Sequence, residues 1–200
     1  MFMTINLTKL VFATKNKNKL SEVKNMLENS NIEIVGIEGE FDPEETGATF
    51  EENAFIKAFE AAKITNLPAL GDDSGLMVDA LDGRPGVYSS RYEKTDEKRI
   101  NKLLQELEHT KQAARSARFV CSMVIALPSG EKVFSTTQNC EGEIAFLPSG
   151  SEGFGYDPIF YLPEKNATMA ELTMEEKNKL SHRAKALGKT LEWLISGKNN

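Results

Sequence analysis

Helical and strand-like periodicities alternate along the first half of this chain, and that alternation most constrains its fold. Residues 9–14 form a short apolar run of strand length, and Leu20, Val23 and Leu27 then recur at helical spacing. Residues 32–36 are a second strand candidate. Residues 38–48 are acidic and punctuated by glycine and proline, which marks a loop. Thr49 with Glu52 three residues later is a capping box, opening a helix with one face of Phe50, Ala54, Ala58, Ala61 and Ala62. The second half reads differently. A helix capped by Thr95 carries Ile100, Leu103, Leu104 and Leu107. Residues 118–127 and 132–141 then read as consecutive long strands turning at Ser129-Gly130, with 143–147 a candidate third. Thr173 and Glu176 form another capping box, and Ser181 is expected to cap a last helix with Ala184, Leu187, Leu191, Leu194 and Ile195 on one face. Interspersed helices and strands predict an α/β protein, and the consecutive strands predict a mixed sheet, in one two-lobed domain over residues 1–200.

Composition narrows the partners. The 200 residues, 40% hydrophobic and 27% charged, suffice for a substantial core. A net charge of −6 argues against general nucleic-acid affinity. It leaves a small polyanion open, because a local lysine cluster acts within a screening length of about 8 Å. The two cysteines, Cys121 and Cys140, make no disulfide framework. Residues 1–9 lack the apolar stretch of a secretory leader, and no run approaches the roughly 18 apolar residues of a membrane span. The expectation is a reduced cytoplasmic protein that binds neither membrane nor nucleic acid.

Five segments could carry chemistry. Asp72-Asp73-Ser74-Gly75 sets two carboxylates at the end of an apolar run, which suits a general base or metal site and equally suits a plain turn between short strands at 68–71 and 76–79. Thr14-Lys15-Asn16-Lys17-Asn18-Lys19 lies where a strand gives way to a helix, a place for a phosphate or for a solvated lysine-rich helix start. Glu44-Glu45 precedes the capped helix and could complete a Mg²⁺ site, while Asn53 and Lys57 share one face of that helix. Gly153-Phe154-Gly155-Tyr156-Asp157-Pro158 offers aromatics in a flexible backbone, either a stacking platform for a planar ring or an aromatic-anchored loop. Lys177 and Ser181-His182-Arg183 place cations around a helix start, where the helix dipole disfavours them unless an anion or carbonyl is near.

Together the segments resemble the inosine/xanthosine triphosphate pyrophosphatase family, enzymes that hydrolyse non-standard purine nucleoside triphosphates. The resemblance rests on Thr14-x-Asn16-x-x-Lys19, on Glu45-Thr-Gly-x-Thr-Phe-x-Glu-Asn53 with Lys57, on Asp72-Asp-Ser-Gly-Leu76, on Pro85-Gly-Val-Tyr-Ser-x-Arg91-Tyr92, on Gly153-Phe-Gly-Tyr-Asp-Pro-Ile-Phe160, and on Glu176-Lys177-x-x-x-Ser181-His-Arg183. These come in the family's order and span roughly residues 10–195. Lys15 and the pair Ser151-Glu152 depart from the family's usual residues.

The resemblance implies a long curved mixed sheet flanked by helices, a nucleotide cleft between two lobes, a homodimer, Mg²⁺ dependence, and release of pyrophosphate with a nucleoside monophosphate. It further implies Asp73 as base and metal ligand with Glu45. Thr14, Asn16, Lys19, Lys57 and Ser74 are expected on the phosphates. Phe154, Gly155, Tyr156, Asp157, Lys177, His182 and Arg183 are expected around the base, with Asn53, Asp72 and Arg91 in support. Turnover of another modified triphosphate, such as a pyrimidine analogue, and nucleotide binding without turnover are the alternatives.

Overall fold

The computed structural model describes residues 7–28 and 30–196. Most of the leader reading falls on residues 1–6, outside the described residues. Among the described residues, seven strands form one sheet in the order β2-β1-β3-β4-β5-β6-β7. They are β1 (Lys9–Phe12), β2 (Glu33–Gly36), β3 (Ala69–Val78), β4 (Ser116–Ala126), β5 (Lys132–Ile144), β6 (Phe160–Leu162) and β7 (Ala167–Thr168). Strand β1 lies parallel to both β2 and β3, as expected where helices intervene. The pairs β5·β6 and β6·β7 are antiparallel. The sheet is therefore mixed, and helices flank it: α1 (Lys17–Leu27), α2 (Phe50–Thr65), α3 (Asp96–Glu106), α4 (Met174–Leu180) and α5 (His182–Ser196). Among the described residues no helix is long and apolar enough to cross a membrane.

The caps read from the sequence form. Thr49 and Glu52 close a reciprocal box on α2, Thr173 and Glu176 close one on α4, and the Thr95 side chain accepts from the Lys98 N–H at the start of α3. The alanine face of α2 has a structural reason. A Cβ placed on Gly71 of β3 would stand 2.1 Å from the Ala54 carbonyl oxygen, so only glycine lets helix and strand approach this closely.

Three expectations are corrected. Residues 72–75 form no turn, because β3 runs unbroken from Ala69 to Val78. Local turn preference is a weak force, overridden here because each aspartate meets a cation. The candidate strand at 143–147 does not exist as such: Ile144 ends β5, and the chain bends at 146–147. Ile195, assigned to the buried face of α5, is 56% exposed, whereas Ala184, Leu187 and Leu194 are buried. Ser181 directly precedes α5, and its own N–H closes α4 by donating to the Lys177 carbonyl.

The described residues divide into two compact units, one comprising residues 7–28, 30–73, 121–138 and 183–196, the other residues 74–120 and 139–182. The first has a core around Leu10, Phe12, Leu70, Met123 and Ile125. The second has its own core around Leu76, Leu103, Ile144, Ile159 and Phe160.

Candidate active site

Successive side chains of a strand point to opposite faces of a sheet. In the first unit this separates the two aspartates of β3. Asp72 Oδ2 pairs with Lys19 of α1 at 2.7 Å and lies 3.7 Å from Arg183 Nε of α5. Asp73 turns to α2, where Lys57 donates to its Oδ1 at 3.0 Å and the Asn53 amide to its Oδ2 at 3.2 Å. Lys57 also donates to Glu45 Oε1 at 2.8 Å, so one ammonium stands between two carboxylates. The fully buried Asn53 does double duty, because its Oδ1 accepts the Gly47 N–H at 2.8 Å. That bond ties the acidic loop to Asp73. Gly47 must be glycine, since a Cβ would stand 2.6 Å from the Glu52 Cβ.

The two neighbouring carboxyls are driven in opposite directions. Burial would raise the pKa of Asp72, but Lys19, then Arg183 and Lys57, outweigh it and hold the carboxyl well below the usual range. For Asp73 burial is again the largest influence. Lys57 opposes it, Glu45 reinforces it, and the net shift is upward. Burial would make Lys57 more acidic, but Asp73, Asp72 and Glu45 together raise its pKa.

Asn16 caps α1, its Oδ1 accepting from the Asn18 and Lys19 N–H groups, and Thr14 Oγ1 accepts from the Asn16 N–H. These oxygens therefore shape the loop. Lys15, the departure from the family pattern, donates to the backbone carbonyls of Ile37 and Gly39. Arg183 pairs with Glu22 of α1 as well as with Asp72, and these carboxylates raise its pKa against burial. Two carboxylates thus supply the counter-charge that the helix start called for, where a ligand carbonyl was expected.

The second unit holds the aromatic loop. Gly153 and Gly155 adopt positive φ (79° and 65°). Asp157 Oδ2 accepts from the Phe154 N–H at 2.9 Å and from Lys177 at 2.8 Å, and the Lys177 ammonium stands over the Phe154 ring, 4.9 Å from its centroid. Lys177 lies in the last turn of α4, where the helix dipole favours a cation, so its placement needs no special ligand. Tyr156 donates its hydroxyl to the Ser89 carbonyl at 3.1 Å. His182 is buried and stacks on Phe119, centroids 4.8 Å apart. Ser151 and Glu152 both donate backbone N–H groups to the Ala170 carbonyl, so the departure at Glu152 leaves an exposed side chain on an anchored loop. Ser74 follows Asp73 in β3 and is half-buried. Arg91 is exposed, 5.6 Å from the Tyr88 ring, beside a cavity of about 400 Å³.

Sequence reasoning missed Glu22, the buried partner of Arg183. Its only signal was a charge at Lys19 + 3, next to Val23 on the apolar side of α1. It also missed Asp96, which accepts the Gly155 N–H.

A mixed sheet presenting a buried acid–lysine cluster is the frame of an α/β enzyme. The chain matches the model of the Ham1 family over residues 10–193 and belongs to that family. It is 51% identical to the dITP/XTP pyrophosphatase of Synechocystis sp. over 185 residues, 92% of this chain and 94% of the relative. It is 52% identical to that of Halalkalibacterium halodurans, covering 92% and 97%. Among solved structures, the HAM1 protein of Coxiella burnetii aligns with a TM-score of 0.85 at 43% identity, covering 94% of this chain and 98% of that one. The Ham1 protein of Staphylococcus aureus aligns at 0.83 and 42%, covering 95% and 99%.

Among the described residues no three His, Cys, Asp or Glu side chains gather into a metal-holding group. The donor set still fits magnesium, which is commonly held by one or two carboxylates with water and substrate phosphate completing its shell. Glu45 and Asp73 already converge on one cation, the Lys57 ammonium.

Proposed function

We propose that this chain hydrolyses non-canonical purine nucleoside triphosphates, dITP and XTP among them, to the monophosphate and pyrophosphate. The observation that carries the reading is the convergence of Glu45 and Asp73 on Lys57, in a member of a family whose relatives bear the name dITP/XTP pyrophosphatase.

Asp73 is the base. Burial raises its proton affinity toward the range where a carboxylate can accept a proton from water, and the Asn53 amide fixes its direction. Glu45 and Asp73 would hold Mg²⁺, which when bound neutralises charge on the departing pyrophosphate. Lys57 and Lys19 bind phosphate oxygens. The Thr14 hydroxyl, the Asn16 amide hydrogens and Ser74 add neutral donors. Asp72 and Arg91 act in support, Asp72 by holding Lys19 in place.

Phe154 stacks on the purine, with Gly155 and Tyr156 shaping the loop. Lys177, oriented by Asp157, donates to the C6 carbonyl of hypoxanthine or xanthine, and His182 lines the same edge. Adenine presents an amino group at C6, and a buried donor facing a donor discriminates strongly. The working form is a homodimer, on the family resemblance alone.

A steady-state comparison of XTP, dITP, ITP, GTP and ATP with Mg²⁺, resolving pyrophosphate from phosphate, tests the reading. Preference for the first three with pyrophosphate release supports it. Binding without turnover, release of single phosphates, or preference for a pyrimidine analogue overturns it.

A further inference from the structure

The aromatic loop is anchored from outside itself. Two peptide groups flank Phe154, and each gives its N–H to a carboxylate. The N–H of Phe154 goes to Asp157 Oδ2 at 2.9 Å, inside the loop's own motif. The N–H of Gly155 goes to Asp96 Oδ2 at 2.8 Å, from a residue 59 positions upstream at the start of α3. Gly155 has open space on its Cβ side. Its φ is +65°, and a Cβ there would meet no atom within 4 Å. The carbonyl of that same peptide accepts the Asp157 N–H at 3.3 Å, within the loop, so the hydrogen bond to Asp96 is the tie that holds the peptide following Phe154 from outside the loop, and with it the direction of the ring.

Asp96 is itself held. Its Oδ1 takes the Arg99 guanidinium, and Arg99 Nε donates to the Glu93 carbonyl at 2.9 Å. With one oxygen on Arg99, the other is aimed at Gly155. An aspartate at the first helical position would otherwise turn to water or to the helix N-terminus. Arg99 and Asp96 also lie within electrostatic reach of Tyr156, the next loop residue, whose pKa is raised chiefly by burial.

We propose that Asp96, clasped by Arg99, is a positioning residue that orients Phe154 for stacking on the purine and so sets base affinity. This rests on the reading of the loop as the base platform. Asp96 touches no reacting atom, so its loss should raise KM and leave the chemical step.

The experiment measures kcat and KM for XTP, the inhibition constant of inorganic tripolyphosphate as a base-free probe, and Tm, for wild type, Asp96→Ala, Asp96→Asn and Phe154→Ala. Losing one charge-assisted hydrogen bond should raise KM for XTP about tenfold in Asp96→Ala. There kcat should stay within about twofold and the tripolyphosphate constant should not move. Asp96→Asn keeps an oxygen acceptor and should recover most of the KM, and it carries the test if the alanine variant folds poorly. An unchanged KM in Asp96→Ala beside a raised KM in Phe154→Ala overturns the role of Asp96 alone. A tripolyphosphate constant rising in step with KM, or no recovery by Asn, also overturns it. An unchanged KM in Phe154→Ala removes the platform itself, and this inference with it. Wild-type enzyme that fails to turn over XTP marks failure of the functional reading instead.

Discussion

Replacing Asp73 with Asn should separate activity from stability in opposite directions. The side chain keeps its shape, and an oxygen remains for Lys57, which also retains Glu45 at 2.8 Å. What disappears is a buried negative charge, together with the oxygen that accepts from the Asn53 amide at 3.2 Å. The sign of the stability change follows from the net direction of the Asp73 shift, in which burial and the Glu45 charge outweigh Lys57. A carboxyl whose pKa is raised on folding loses stability as pH rises above its ordinary value of about 3.9. At pH 7, without metal, the wild type therefore bears a penalty that Asp73→Asn removes, and the Tm of the variant should equal or exceed that of wild type. Turnover should fall by about 10²–10⁴, the usual worth of a positioned general base. Differential scanning calorimetry at pH 7 without Mg²⁺, beside a pyrophosphate-release assay with XTP, reads both. A Tm lowered by more than about 4 °C, on the order of 1–2 kcal/mol for a chain this long, would make Asp73 a structural ion-pair partner. Turnover within tenfold of wild type would remove it from the chemistry.

Two further substitutions probe the buried arginines. Arg183→Ala leaves Glu22 and Asp72 short of a cation, which should cost about 3–5 kcal/mol in chemical denaturation. XTP and ATP turnover should fall by the same factor, and a loss confined to XTP would return Arg183 to the base edge. Arg115→Ala removes three bonds from a fully buried guanidinium to the carbonyls of Leu107, Ile144 and Ala145. It should lower stability by about 3 kcal/mol or more, roughly 6–12 °C in Tm, with KM for XTP unchanged in the folded fraction. A Tm within about 2 °C of wild type would refute that account.

How legible was this in the sequence? Most of what depends on spacing within one element was readable, Ile195 of α5 being an exception. The three Thr-led helix starts, the alanine face of α2 and the shared face of Asn53 and Lys57 all follow from helical geometry. Residues whose meaning depends on a distant partner were misread or missed. Asp72 to Gly75 carries every local sign of a turn, and the cations that let two carboxylates sit in a strand, Lys19 and Lys57, are brought in by helices. Glu22, the carboxylate that pairs with Arg183, is 161 positions away and could not be read as its partner. Asp96 went unnoticed because its partner is a backbone N–H in a remote loop.

The adjacency of Asp72 and Asp73 now has a physical account. A strand alternates faces, so two consecutive carboxylates serve two environments with no intervening residue. One environment, with Lys19 and Arg183, depresses the pKa of Asp72, so that aspartate stays charged and holds Lys19 in place. The other leaves Asp73 under-compensated beside Glu45, and its pKa rises. A carboxylate kept short of positive charge is costly to the fold and useful to a cation or a proton, whereas one fully compensated can only hold. On the function proposed above, chemistry falls to Asp73 and support to Asp72. Exchanging the substitution makes this testable: Asp72→Asn should lower Tm, because it removes a stabilising charge. It should reduce turnover mainly through KM, as Lys19 loses its guide. A kcat loss in Asp72→Asn as large as that in Asp73→Asn, at unchanged KM, would show that the two carboxylates act as one unit.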